Sequence, residues 1–493
     1  MMASNSRVKV RTTLMGVLVL CGILIATETS FGRSGLGCPP DAIAVEPGAS
    51  IQAAVDSAGD GATFCLKNGV HRAQAVRPRP GQRFYGEAQT VLNGSQLLAG
   101  FRREGGYWVA SRQLRPRRKH GECLPSAPIC NQPEALFIDD RPLTRVSSKG
   151  ALASGKFYIE YAGGKIYLAD DPTNRKVEVT VASFAFQSAA TNVSISNITV
   201  EKFASAAQSG AIHAMEGAGW IIENCEARLN SGVGISVGTG SRVRNCSVHH
   251  NGQLGIGGSG NDIRIEDSRI WSNNIYGFDP GWEAGGVKIA ESDGVTFRGN
   301  HVHENNGPGL WCDGDCRNAV YEKNLVENNQ WNGIFHEISF NAVIRDNVLR
   351  RNDRGRRGWF WSAEILLAAS QDVEVSGNTL EVAAGTCGIM LIDQGRRDNG
   401  RSYKTRNNTI QANEMTFEGA ACAGGVSDTK PGNENYAIIT DGNNRFDGNT
   451  YRVARPREPA RFVWGHTVTD WNGFRRGGLE ENGRLIPHLQ QSK

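Results

Sequence analysis

The stretch AVYEKNLVENNQWNGIFHEISFNAVIRDNVLRRN, residues 319–352, contains one short phrase twice. In AVYEKNLVENN (319–329) and AVIRDNVLRRN (342–352), an apolar residue stands three before an asparagine, another stands two after it, and a second asparagine closes the phrase. The phrase recurs upstream as WIIENCEARLN (220–230), SRVRNCSVHHN (241–251), IRIEDSRIWSN (263–273) and VTFRGNHVHEN (295–305). Its middle position is Cys225, Cys246, Ser268, Asn300, Asn324 and Asn347, and continues weakly as Asn378, Asn408 and Asn449, at intervals of 21, 22, 32, 24, 23, 31, 30 and 41 residues. An interval of 21–24 suits one coil of three short strands, because strands rise only ~3.3 Å per residue and must close around a core one side chain thick. Such a coil cannot bury its own apolar face, so coils must stack. The fold class this predicts is all-β: a right-handed parallel β-helix whose turn asparagines bond up the stack as a ladder.

The long intervals carry insertions. Each closing asparagine is followed by a strand of the form G-apolar-x-apolar, as in GVGISV (232–237), GLWCD (309–313) and GIFHEI (333–338). The loops NIYGFDPGWEA (274–284) and DRGRRGWFWS (353–362) precede two such strands, and DQGRRDNGRSYK (393–404) follows a third on the opposite edge. Loops on a rigid scaffold are the usual place for a site, so these three predict a cleft about four coils wide. Before the repeats, residues 38–100 read as a cap helix and first coils, 101–185 as an inserted β subdomain, 186–455 as the coils, and 456–493 as a C-terminal cap.

The net charge of +4 in 493 residues gives no pull toward nucleic acid, and the basic run RQLRPRRKH (112–120) reads as a solvated loop. Residues 1–32 read as an export signal, with Arg7, Lys9 and Arg11 before an apolar run (14–26) too short for a membrane span. A secreted, periplasmic or cell-envelope monomer is expected, without stable membrane insertion unless the signal stays uncleaved as an anchor. Omitting Cys21 leaves ten cysteines, and Cys38/Cys65, Cys123/Cys130, Cys312/Cys316 and Cys387/Cys422 are candidate bridges; Cys225 and Cys246 are small buried fillers at ladder positions, with a bridge between them as the alternative.

Strand alternation assigns faces. With Val287, Leu310 and Ile334 inward, Lys288, Trp311, Asp313, Phe335, Glu337 and Glu364 face outward, and His336 points inward unless a bulge turns it. Charged residues on adjacent strands lie ~5 Å apart and shift each other's pKa. Lys288, His336 and Glu337 are the candidate catalytic residues; Asp313, Glu337 and Glu364 the candidate Ca2+ ligands; Trp282, Trp311, Phe335, Trp359, Trp361 and Arg356 the candidate substrate-binding residues. Arg354 and Arg357 stand ready for the same anionic groups. The competing reading makes the charges solvated cross-strand pairs and His336 a core histidine.

At GGVKI, NNGPGLWCD, GIFHEIS, SIQAAVD and LFIDDRPL…KIYLADDP the chain resembles the right-handed parallel β-helix, pectate-lyase-like superfamily, and more narrowly a group of secreted bacterial β-helix repeat proteins, over residues 40–455. The resemblance implies a polysaccharide partner. The superfamily holds polysaccharide lyases, polygalacturonase-like hydrolases, uronan epimerases and non-catalytic surface proteins, and fold does not choose among them. Similarity to alginate-lyase-like members implies Lys288 as base and calcium on Asp313 and Glu337, for β-elimination on a uronic-acid glycan. Hydrolysis by paired carboxylates comes second: neither G-H-G nor R-I-K is present. The epimerase motif D-P-H-D survives only as Asp279-Pro280 followed by Gly281-Trp282.

Overall fold

A computed structural model describes residues 37–355, 357–398, 400–429, 437–453 and 461–487. The export signal, with Cys21, and Arg356 lie outside the described residues. Three long sheets run the length of the coils, of 13, 12 and 13 strands among the described residues. One coil passes through all three: Gly285–Ala290 lies in the 12-stranded sheet, Thr296–Arg298 and His301–His303 in the two others, and Leu310–Asp313 starts the next coil beside Gly285–Ala290. Pairing between coils is parallel and in register, Val287 with Leu310, Leu310 with Ile334 and Ile334 with Ile365. The inward residues form one continuous core that includes Val287, Leu310, Ile334, Val302 and Val326.

Two asparagine ladders hold the corners. In one, Asn300, Asn324, Asn347, Asn378 and Asn413 each donate backbone N–H and side-chain Nδ2–H to the Oδ1 of the next rung at 2.8–3.1 Å, ending at Asn449. Asn413, not Asn408, follows Asn378. Asn408 belongs to the corner after the 12-stranded sheet, where it bonds Asn444; the long insertion 393–404 displaced the sequence alignment by one corner. The second ladder runs through the closing asparagines Asn230, Asn251, Asn273, Asn305, Asn329 and Asn352. The first corner turns on one left-handed residue per coil, such as Asp267 (φ 49°), Lys323 (φ 56°) and Asp346 (φ 55°).

At the N-terminal end the helix Ile51–Ser57, capped by Ser50, buries Ile51 and Val55. At the other end Phe462, Trp471 and Phe474 pack around Tyr451 and Phe446. Between Thr90–Asn93 and Phe186 the chain leaves the coils to build two small, largely antiparallel sheets with their own core of Leu136, Ile138, Phe157, Ile166, Leu168 and Val179. Disulfides join Cys38 to Cys65, Cys123 to Cys130 and Cys387 to Cys422. The expected Cys312–Cys316 bridge is absent: both are buried thiols, and Cys225 and Cys246 are buried at their ladder positions. Both thiols face the core within hydrogen-bonding reach of each other, and Cys316 also donates to the Ile289 carbonyl at 3.4 Å.

Candidate functional site

Two rows of outward side chains define the site on the 12-stranded sheet. Register places His213, Ser236, Gly257, Lys288, Trp311 and Phe335 in one row across successive strands. Two residues further along each strand, Asp313 pairs with Ala290, and Glu337 follows Asp313 in the adjoining strand. Lys288 therefore reaches Asp313 diagonally. Its Nζ lies 2.8 Å from Asp313 Oδ2 and 2.9 Å from Glu283 Oε1, and 4.1 Å above the Trp311 ring. The side chains are recessed: Lys288, Asp313 and Glu337 are 7%, 20% and 11% exposed.

The bracketing loops supply the remaining charges. Asp279 caps the short helix Pro280–Glu283, accepting from Gly281 N at 2.8 Å, and this helix delivers Glu283. The Asp279-Pro280 pair thus serves as a cap with proline at the first helical position. From the opposite edge, Arg396 Nη1 donates to Glu337 Oε1 at 2.6 Å. Burial and the neighbouring Asp313 charge push Glu337 up to about 7, against the pull of Arg396, Lys288 and Arg357. Burial works against the Lys288 ammonium, but Asp313 and Glu283 prevail and raise its pKa. Paired in this way, Lys288 is held as the ammonium, the form opposite to the base expected of it. Asp313 Oδ1 and Trp311 Nε1 are buried without hydrogen-bond partners among the described residues.

Several expected residues stand elsewhere. His336 is fully buried inside the coil between Cys312 and Leu367, with Nδ1 3.2 Å from the Tyr321 hydroxyl. Burial pushes it down to about 3, so it is a neutral core histidine out of reach of the cleft. Glu364 is also fully buried: its carboxylate accepts from Asn352 N (2.9 Å) and Nδ2 (2.6 Å), closing the second ladder. It stands in a column of glycines, Gly255, Gly286, Gly309 and Gly333, at each of which an added Cβ would meet a ladder asparagine at 2.7–3.0 Å. The expected calcium set is thus not assembled. Glu364 is inside, and Asp313 and Glu337 are already paired with Lys288 and Arg396. Asp315 of the CDGDC turn is likewise taken, by Arg401 and Tyr403.

Trp311 and Phe335 stack on each other at 5.3 Å but are each 3% exposed, forming a floor sealed by cations rather than open faces for sugar rings. Arg357 lies 4.3 Å over Trp331 and 5.6 Å over Phe335, and donates to the Trp361 carbonyl. Trp282 packs with Phe278 and the His120 ring. Trp361 donates its indole N–H to Asp428 at 2.8 Å, and Trp359 is open to solvent. The residues missed by sequence reasoning are Glu283 and Arg396. Both sit on the insertions flagged as cleft walls, but loop conformation decides which loop charge turns inward.

The sequence family described as a right handed beta helix region matches residues 166–280 and 210–380. No curated protein matches the chain. Among solved structures, one of XylC in complex with xylose is similar at TM-score 0.56 and 15% identity, over 89% of this chain and 82% of that one. The A-module of the Azotobacter vinelandii mannuronan C-5 epimerase AlgE6 is similar at TM-score 0.50 and 15% identity, over 92% of this chain and 98% of that one. At these identities the likeness is one of fold. With its coil repeat, parallel in-register sheets and continuous core, the chain is a right-handed β-helix protein.

Proposed function

We propose that the protein cleaves an acidic polysaccharide by proton transfer at Glu337, with Asp313 as the second carboxylate. The observation that carries this is the pair itself: two recessed carboxylates on adjoining strands, one pushed up to about 7, set among Lys288, Arg396 and Arg357. Environments that separate two carboxyl groups into an acid and a base are what glycosidic hydrolysis requires. The cations around the pair complement a polymer bearing carboxylates. The xylose bound to XylC and the mannuronan of the AlgE6 name support a glycan ligand. Three disulfides support an oxidising, exported destination.

β-Elimination is the second reading, favoured by one observation: Lys288 and Arg396 flank the pair where they would neutralise a uronate carboxylate, leaving Glu337 to take the adjacent proton. A panel of uronans separates the two. Hydrolysis releases reducing ends without an unsaturated chromophore, and elimination releases both. Glu337→Gln and Asp313→Asn are each expected to lower turnover by about 10²–10⁴-fold with the fold intact by circular dichroism. Undiminished turnover in Glu337→Gln removes this assignment.

A further inference from the structure

The row that contains Lys288 continues upstream into a second pocket. His213 lies three strands from Lys288 through Ser236 and Gly257, on the order of 14 Å at ~4.8 Å per strand. Over it opens a cavity of about 320 Å³ lined by Arg117, Arg118, Phe184, Gln187, Ser209 and His213, among others. The basic run does not float in solvent here. Arg117 is tied to Ser183 and the Val181 carbonyl, which turns Arg118 toward the cavity with no ion-pair partner among the described residues.

Among the largely apolar residues Pro133, Phe184, Ala204 and Ala206, the pocket presents His213 as a hydrogen-bond donor. Gly210 N–H donates to His213 Nδ1 at 3.2 Å, so the neutral ring carries its proton on Nε2. Burial lowers the His213 pKa and keeps the ring neutral at pH 7. Glu216, 4.0 Å from Nε2, is beyond hydrogen-bond range. Behind His213, one strand along the row, the Ser236 hydroxyl is fully buried without a hydrogen-bond partner among the described residues. The same loop then runs toward the carboxylate pair. His120 bonds Gln208 at 2.7 Å, Gln208 bonds Glu283 at 2.6 Å, and Glu283 bonds Lys288.

From this continuity of one sheet face, one wall and two cationic centres, we infer that the Arg118–His213 pocket is a distal subsite holding a carboxylate-bearing sugar of the polymer whose reacting unit lies at Asp313 and Glu337. This rests on the reading of that pair as a polysaccharide site. It makes the protein selective for acidic chains long enough to span both centres, and it assigns the insert a role in binding through residues 117–120.

The test is calorimetric titration of the full chain with hexamers and dimers of galacturonate, mannuronate and guluronate, and with a neutral glucose hexamer. In the wild type at least one uronate hexamer binds more tightly than its dimer. In Arg118→Gln and His213→Gln that hexamer-to-dimer ratio falls by about tenfold, the equivalent of one charge-assisted hydrogen bond. Arg118 is exposed, so its variant retains the wild-type melting temperature. An unchanged ratio in both variants overturns the distal subsite while leaving the Asp313–Glu337 reading in place. Equal binding of the neutral hexamer, weakened equally by Arg118→Gln, overturns the acidic class. A wild type that binds none of the uronates overturns both readings.

Discussion

Glu337 and His336 are neighbours in sequence with opposite fates, because strand alternation sends one to the core and one to the cleft. Both are nearly water-free, yet His336 is held neutral at pH 7 by burial alone, whereas Glu337 sits at about 7 because Asp313 adds to burial while Arg396 opposes both. Arg396 is the largest counterweight and is itself 41% exposed. Arg396→Ala is therefore expected to raise the Glu337 pKa further without unfolding the protein. If protonated Glu337 is the acid, turnover falls as pH rises through about 7 in the wild type, and the falling limb moves to higher pH in the variant. A limb that stays in place or moves down in a pH–rate profile contradicts the role.

At the scale of elements, each asparagine ladder ends on a glutamate. Asn352 donates to Glu364, and Asn449 donates to Glu480 through N (3.1 Å) and Nδ2 (2.7 Å). The two carboxyl oxygens take the two hydrogens that a further asparagine Oδ1 would otherwise accept. Burial pushes Glu364 up to about 8 from 4.5. Because its folded pKa is raised, its contribution to stability is complete below 4.5 and is lost as pH rises through about 8. Glu364→Gln, whose Oε1 can accept both hydrogens, is expected to abolish this loss, a difference on the order of a few kcal/mol by pH 9. Thermal melting at pH 5, 7 and 9 reads it as a wild type that falls more steeply than the variant; parallel curves contradict the assignment. Glu364→Ala leaves the Asn352 donors unpaired and costs about 1–3 kcal/mol at every pH.

Over the whole molecule, the coil phrases determine a stack in register, and this much is legible from Asn300, Asn324 and Asn347 and from alternation in GIFHE. The identity of the face is legible too, since Lys288, Asp313 and Glu337 do converge. What the sequence hides is contact made by loops and by the insert. Arg396 and Glu283 reach the site from loops, and Glu364 departs from its alternation because the missing glycine admits its side chain to the ladder. Cys312 and Cys316, on a strand and the corner after it, meet in the core as thiols rather than as a bridge. The insert is tied to the coils by Lys202, fully buried with Glu178 and bonded to Asp140. Lys202→Met removes one of the cations on Glu178, which Arg72 still holds at 2.7 Å, and should cost about 1–3 kcal/mol; limited proteolysis should then cut within residues 97–180 before the coils. Cleavage no faster than in the wild type means the insert is held by other contacts.

The central claim is that in-register stacking makes Glu337 an acid held ready near neutral pH. Difference infrared spectroscopy of the wild type against Glu337→Gln isolates this one carboxyl group. The account predicts a protonated C=O band present at pH 5.5 and lost with a midpoint near 7. A band already gone by pH 5.5, with titration near 4.5, would contradict it.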